Sequence, residues 1–468
     1  MPEHPDKLTI DRRGFLGVGV AGALAAGITA PAIGREGRAT RGAAKNIIFM
    51  VSDGMSFGTL QLADAHLHRT TGRHSNWRSI WSRDGIRRSI VQTYPADGLV
   101  TDSAAAGSAW GGGEHTNNGV INITPDGRSL TPIFLRAKAS SKGTGLVTTT
   151  RITHATPATF VANVPKRSME DQIARQQLDR GVDVLLGGGA KHFPDGLLGV
   201  HRGYSVCRTA RTLDTNNGDP LLGLFTPDHM SFEIDRVNDN RSNEPSLAEM
   251  TKAALRNLSR APGGFLLQVE GGRVDHAAHA NDAGSMIIDQ IAFDQAIGVV
   301  LAFTENRDDT LVIVTTDHGN ANPGLTIYGR DGDKAFEKIG KTRFSFDWIF
   351  ARLGRITGPD ARKKAAPEII EHATGITLTL DEFSTLAESL DGQRVDPFKL
   401  ANDPMLVLGS LLANHHGVAF LSPNHTADFV ELTSFGPGCE LIGAMIDNVE
   451  LNQVMVDALD LAPASVKS

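Results

Sequence analysis

The segment 46–55, Asn-Ile-Ile-Phe-Met-Val-Ser-Asp-Gly-Met, is an apolar run closed at once by Asp53 and Gly54, and the pattern returns along the chain. Similar runs end near 150, 186, 269 and 316, with helical patterns between them. A run apolar throughout reads as a strand covered on both faces. Such strands alternating with helices predict an α/β fold: a three-layer α/β/α sandwich around a central, mostly parallel sheet. Four of the five runs are followed by Asp, Glu or His, and the fifth, at 186, ends in glycines. Ligands gather beyond the C-terminal ends of strands in such sheets. The clustering therefore predicts a metal site of carboxylate and imidazole ligands above the strand ends.

The candidates fall into short motifs. In Val100–Ala109, the polar triplet Thr-Asp-Ser leads into small residues, which suits a helix lying close against a neighbour. Asp102 or Ser103 can cap that helix, and the free N–H groups of its first turn favour an anion. His154 and Thr156 stand two apart beyond the 143–150 strand. Glu270 closes the 264–272 run, and Asp275 and His279, four apart, share one face if they open a helix. Asp317 and His318 close the 310–316 run, and His425 follows Pro423-Asn424. Further helices are expected at 131–142, 168–181, from the Asp275 motif to about 305, and at 449–461. Residues 190–245 carry no clear element pattern. Residues 331–410 read as a helical insertion, with helices at 366–374 and 380–390. His415 and His416 read as loop or surface residues.

Composition narrows the function classes. The 468 residues are 40% hydrophobic and 21% charged, with a net charge of −7 and no long basic run, so no nucleic-acid partner is expected. Two cysteines, Cys207 and Cys439, allow one disulfide but imply no disulfide framework. Asp-Arg-Arg-Gly-Phe-Leu at 11–16, a mild Gly/Ala-rich apolar run and Ala-Pro-Ala at 30–32 resemble a twin-arginine export signal with its cleavage region. Residues 1–40 are thus read as export signal and linker. The expected location is periplasmic or extracellular, with no stable membrane span in the mature form.

Taken together and in order, Val-Ser-Asp53-Gly-Met, Thr-Asp-Ser103-Ala-Ala-Ala-Gly, His154-Ala-Thr156-Pro, Glu270-Gly-Gly-Arg-Val-Asp275-His276-Ala-Ala-His279, Thr-Asp317-His318-Gly-Asn and His425-Thr resemble alkaline phosphatase. The resemblance covers roughly 45–330 and 412–446. It implies the domain layout 41–330 plus 411–468, with 331–410 as the insertion, and family members are often homodimers. It also implies hydrolysis of small-molecule phosphate monoesters through a phosphoserine. By the family pattern Ser103 is the nucleophile, and Asp275, His279 and His425 hold one Zn²⁺. Asp53, Asp317 and His318 hold a second, and Asp53, Thr156 and Glu270 hold Mg²⁺. Arg167, thirteen residues after His154, matches the substrate-binding arginine. Some bacterial members carry Asp where His154 stands and Lys where His276 stands. His154 therefore bears on the third metal, and His276 on water-mediated phosphate contact. The other readings are a phosphodiesterase or other hydrolase of the superfamily, and a non-catalytic metal-loaded phosphate-binding protein. The sulfatase pattern Cys-x-Pro-x-Arg is absent, and Glu270 supplies a third-site acid that diesterases usually lack.

Overall fold

A computed structural model describes residues 41–463 except 202, 217–219, 240, 241 and 398. The export-signal reading of 1–40 lies outside the described residues. Ten strands form the main sheet: β1 (Asn46–Ser52), β2 (Arg87–Gln92), β3 (Gly143–Arg151), β4 (Val184–Gly188), β5 (Ser205–Cys207), β6 (Leu221–Leu224), β7 (Phe265–Gly271), β8 (Thr310–Thr315), β9 (Val430–Phe435) and β10 (Met445–Asp447). Their order is β10-β2-β9-β8-β1-β7-β3-β4-β6-β5. Only β9 runs against its neighbours, pairing antiparallel with β2 and β8.

The apolar runs form central strands because both faces are covered. Along β1, Ile47, Phe49 and Val51 enter one core, and Ile48 and Met50 enter the other. On the first side Phe49 meets Trp110 at 4.9 Å and Phe160 at 5.6 Å between ring centroids. On the second, Trp77 and Phe293 lie 6.0 Å apart. Each such ring fully withdrawn from water contributes about 1.5–3 kcal/mol. Ala283–Thr304 belongs to the second layer. It is the one helix among the described residues long and apolar enough to cross a membrane, but Phe293, Ile297 and Val300 spend its apolar surface on the core.

Register aligns the strand ends. Val51 lies opposite Glu270 on β7 and Thr315 on β8, and Thr148 on β3 lies opposite Glu270. Asp53, Glu270, Asp317 and the segment after β3 therefore emerge at one level. Helices Phe346–Gly354, Pro359–Thr374, Leu380–Leu390 and Pro404–His416 form the expected helical region. It has a small core of its own that includes Ile349, Ile370, Leu386 and Leu408. The chain then returns through two short antiparallel pairs, Gly324–Leu325 with Val418–Ala419 and Gly319–Asn320 with His425–Thr426. His415 bonds Glu382 at the end of its helix, and His416 is buried. Both cysteines are buried free thiols, bonded to the carbonyls of Thr212 and Gly85, so no disulfide forms between them.

Candidate active site above the strand ends

Ser103 begins the helix Ser103–Gly112, and Asp102 caps it by accepting from the Ala105 N–H at 2.9 Å. The small residues matter for seating. A Cβ on Gly111 would lie 2.0 Å from the Thr159 carbonyl oxygen, and one on Gly107 2.6 Å from Thr159 Oγ1. Only glycine lets this helix reach the 155–159 segment, which carries Thr156. Asp102 also accepts from the Gly119 N–H at 3.0 Å and from Arg167 at 2.9 Å. Burial would raise its carboxyl, but Arg167 and these bonds outweigh burial and hold it below the usual range. The other Arg167 nitrogen donates to His154 Nε2 at 3.0 Å. Arg167 is thus aimed beside the serine by two partners.

The Ser103 hydroxyl is buried, 3.3 Å from His318 Nε2. His318 Nε2 lies 3.2 Å from Asp317 and 3.7 Å from Asp53. Asp317 accepts from the backbone N–H groups of Gly54 and His318, both at 3.0 Å. Asp275 lies 3.4 Å from His279 and 3.5 Å from His425, and accepts from Asn320 at 2.7 Å. Glu270 accepts from Thr148 and, at 3.3 Å, from Thr150. Thr156 Oγ1 reaches Asp53 at 3.5 Å. All twelve residues singled out in the sequence except His276 meet in this cluster directly; His276 borders it through His154, with ring centroids 5.8 Å apart.

Electrostatics make the cluster a cation receptor. Burial, then the charges of Asp317, Asp275 and Glu270, push the Asp53 carboxyl far above the usual carboxylate range. Burial pushes Glu270 up to about 7 and Asp317 to about 6. Asp275 goes the other way, because His279 and His425 outweigh its burial. Burial lowers the pKa of His318 far below the usual imidazole value. Asp53 Oδ1, Asp317 Oδ2, Glu270 Oε1 and His154 Nδ1 are buried without a hydrogen-bond partner. His279 Nδ1 donates to the Pro423 carbonyl at 2.5 Å and His425 Nδ1 to the Thr101 carbonyl at 2.8 Å. Those bonds leave both Nε2 lone pairs converging 3.0 Å apart beside a carboxylate. Without a metal the pair holds a proton, because Asp275 raises His279 to about 9 against its burial; a metal cation can take that proton's place. The donor set therefore fits metal ions.

Three groups have ligand atoms close enough for one ion: Asp53 with Asp317 and His318; Asp275 with His318 and His425; and Asp53 with His154 and Glu270. The first is the expected second set. In the second, His318 joins Asp275 and His425; in the third, His154 joins Asp53 and Glu270, with Thr156 Oγ1 3.5 Å from Asp53. His279 is nonetheless the closer imidazole to Asp275, at 3.4 Å from its carboxylate.

Sequence reading missed His229. It lies in the unassigned 190–245 region, yet its ring packs 4.4 Å from His276 and 5.4 Å from His154. Arg151 holds it there while binding Glu170 through two 2.7 Å bonds and Asp228 at 2.8 Å. Burial lowers His229 to about 2 and His276 to about 3, so both are neutral near pH 7. Long-range contacts bring His229 in, among them backbone bonds from Met230 N–H to Thr149 and from Gly189 N–H to Asp228, and no local pattern marks it.

A mostly parallel sheet topped by a buried serine hydroxyl, a guanidinium and acid–imidazole groups that could hold metal ions is the arrangement of a hydrolase site. The family model described as alkaline phosphatase matches residues 44–461. Alkaline phosphatase 4 of Bacillus subtilis (strain 168) is 29% identical over 430 residues, spanning 89% of this chain and 88% of that protein. The crystal structure of Thermus thermophilus alkaline phosphatase matches with a TM-score of 0.84 at 32% identity, over 94% of this chain and 96% of that one. A mutant of the alkaline phosphatase from the Antarctic bacterium TAB5, with Mg bound in its M3 site, shares the fold at TM-score 0.64 and 22% identity, over 90% of this chain and 100% of that one. The chain belongs to the alkaline phosphatase family. Its reaction class is phosphoric monoester hydrolysis.

Proposed function

We propose that this chain cleaves phosphate monoesters to alcohol and inorganic phosphate in two displacements at Ser103. Zinc at Asp275, His279 and His425 and at Asp53, Asp317 and His318, with magnesium at Asp53, Thr156 and Glu270, would supply Lewis acidity, screen the phosphate charge and favour the serine alkoxide. His154 adds a nitrogen to the third set, and its part there belongs to the same proposal. Arg167 binds phosphate oxygens with its planar fork, which Asp102 keeps aimed at the site. In the first displacement Ser103 Oγ gives its proton to solvent and bonds to phosphorus, the P–O bond to the alcohol breaks, and the alcohol leaves with a proton from solvent. In the second, water oxygen bonds to phosphorus, the P–Oγ bond breaks, a water proton returns to Ser103 and inorganic phosphate leaves. The N-terminal turn of the helix favours the anion throughout. The same reading makes 1–40 an export signal and linker, 331–410 an insertion on the catalytic domain, and the mature enzyme periplasmic or extracellular, with a homodimer open to it.

The observation carrying this reading is a buried Ser103 hydroxyl 3.3 Å from His318 among four buried acids. The test is acid quenching of the enzyme with labelled phosphate, beside p-nitrophenyl phosphate turnover before and after chelation and zinc–magnesium add-back. Wild type should trap label covalently and lose turnover with its metal; Ser103→Ala should bind phosphate but trap none. Covalent label in Ser103→Ala refutes the nucleophile.

A further inference from the structure

We propose that Arg273 is a positioning residue that holds His276 as an Nε2–H donor for bound phosphate, and that Asp347 of the helical region holds Arg273. This rests on the phosphomonoesterase reading above and adds to it a task for the 331–410 segment.

Arg273 opens the short helix Arg273–His279, two residues before Asp275. Its guanidinium is almost fully buried, stacked 3.7 Å over the Phe232 ring. One nitrogen lies 2.7 Å from His276 Nδ1, and another donates to Asp347 at 3.2 Å. A guanidinium has donors only, so His276 Nδ1 must accept. A neutral imidazole accepting at Nδ1 carries its proton on Nε2, on the far side of the ring from Arg273. The His276 ring packs against His229 at 4.4 Å and His154 at 5.8 Å between centroids, and Arg167 contacts His154. The bond from Arg273 thus selects the tautomer that offers phosphate oxygens a donor.

Asp347 lies in the first turn of Phe346–Gly354. That turn is tied to the catalytic layers: Ser345 bonds Asp235 through its N–H at 2.8 Å and its hydroxyl at 2.5 Å, and the Phe346 N–H donates to Asp282 at 2.8 Å. The segment therefore arrives with its carboxylate already placed. Asp347 is half exposed, so its removal leaves the fold in place.

The test compares Asp347→Ala, Arg273→Lys, His276→Asn and the double variant Asp347→Ala/His276→Asn in the metal-loaded enzyme. The readouts are competitive inhibition by inorganic phosphate, kcat and KM on p-nitrophenyl phosphate, and acid-quench labelling of Ser103. Asp347→Ala should weaken phosphate inhibition about three- to tenfold, the scale of one ordinary hydrogen bond. Arg273→Lys, which keeps a donor, should lose less than that. In the His276→Asn background Asp347→Ala should change nothing further. Nitrogen-15 shifts of histidine should show His276 protonated at Nε2 in wild type. Independent, multiplying losses in the double variant, or an Nδ1–H tautomer, overturn the proposal. Absence of label on Ser103 in wild type would instead refute the phosphoserine reading.

Discussion

One added methyl group at Gly54 tests how rigidly Asp275 is held. Gly54 has φ +68°, and a Cβ there would lie 2.5 Å from Asp275 Oδ1 and 2.9 Å from its Cα and Cβ. Restoring an ordinary 3.4 Å contact needs a shift of about 0.9 Å, the difference between 3.4 and 2.5. Asp275 cannot yield freely, because Asn320 donates to it at 2.7 Å and His425 lies 3.5 Å away. Alanine in the left-handed region costs about 1–2 kcal/mol, and crowding a packed site adds about 1–3 kcal/mol. Gly54→Ala should therefore lose about 2–5 kcal/mol of stability. Because a misplacement near 1 Å costs about 10²-fold in rate, kcat/KM should fall by about that factor, with metal lost from the Asp275 set. Gly72→Ala is the control: φ is +73° at the end of Phe57–Thr71, with nothing within 4 Å of the added carbon. It should pay the backbone cost of about 1–2 kcal/mol alone and keep wild-type turnover. Urea unfolding, p-nitrophenyl phosphate kinetics and metal analysis after dialysis decide the matter. Wild-type metal content and turnover in Gly54→Ala would refute the reasoning.

Three further outcomes are expected. Asp102→Ala removes the helix cap and the Arg167 partner; it should cost about 1 kcal/mol in urea unfolding and raise KM more than it lowers kcat, whereas an unchanged KM would contradict the tether. In metal-stripped enzyme, His279 is held up to about 9 by Asp275 against burial, and burial raises Glu270 to about 7. The folded state then binds more protons than the unfolded state between pH 7 and 9, so stability should fall as pH rises across that window. His154, His229, His276 and His318 are lowered in the folded state, so they oppose this slope near pH 7 and cease to do so above about pH 8, where unfolded histidine is also neutral. Metal-loaded enzyme, with those ligands already deprotonated, should not show this slope. Thiol titration in denaturant should count two free cysteines with or without reductant, and a reductant-dependent count would contradict the structure.

The central strands were legible because β1, β7 and β8 are covered on both faces and need unbroken apolar runs. Asp53, Glu270 and Asp317 were legible for the same reason, each standing where such a run closes. β2 escaped notice: Arg-Arg-Ser-Ile-Val-Gln alternates exposed and buried positions, and both its sheet partners, β9 and β10, lie over three hundred residues away. β5, β6 and β10 are three or four residues long, too short to show a period. The 331–410 region was read as helical from its amphipathic spacing, and Pro359–Thr374 begins seven residues earlier than the 366–374 pattern, where Gly358-Pro359 starts it. His229 and the Arg273–Asp347 contact carry no local signal, because contacts between distant segments bring them to the site.

His425 bonds the Thr101 carbonyl 324 residues back, and its partner strand is Gly319–Asn320. A nascent chain that has emerged only as far as His416 already presents Asp275 and His279, but it lacks the imidazole that completes their ligand set. On the proposed ligand set, full-affinity metal capture waits until synthesis is nearly finished. Closing such distant contacts is also slow. Strand β9, which joins β2 to β8, also follows His425, so the same last stretch of chain completes both the sheet and the proposed ligand set.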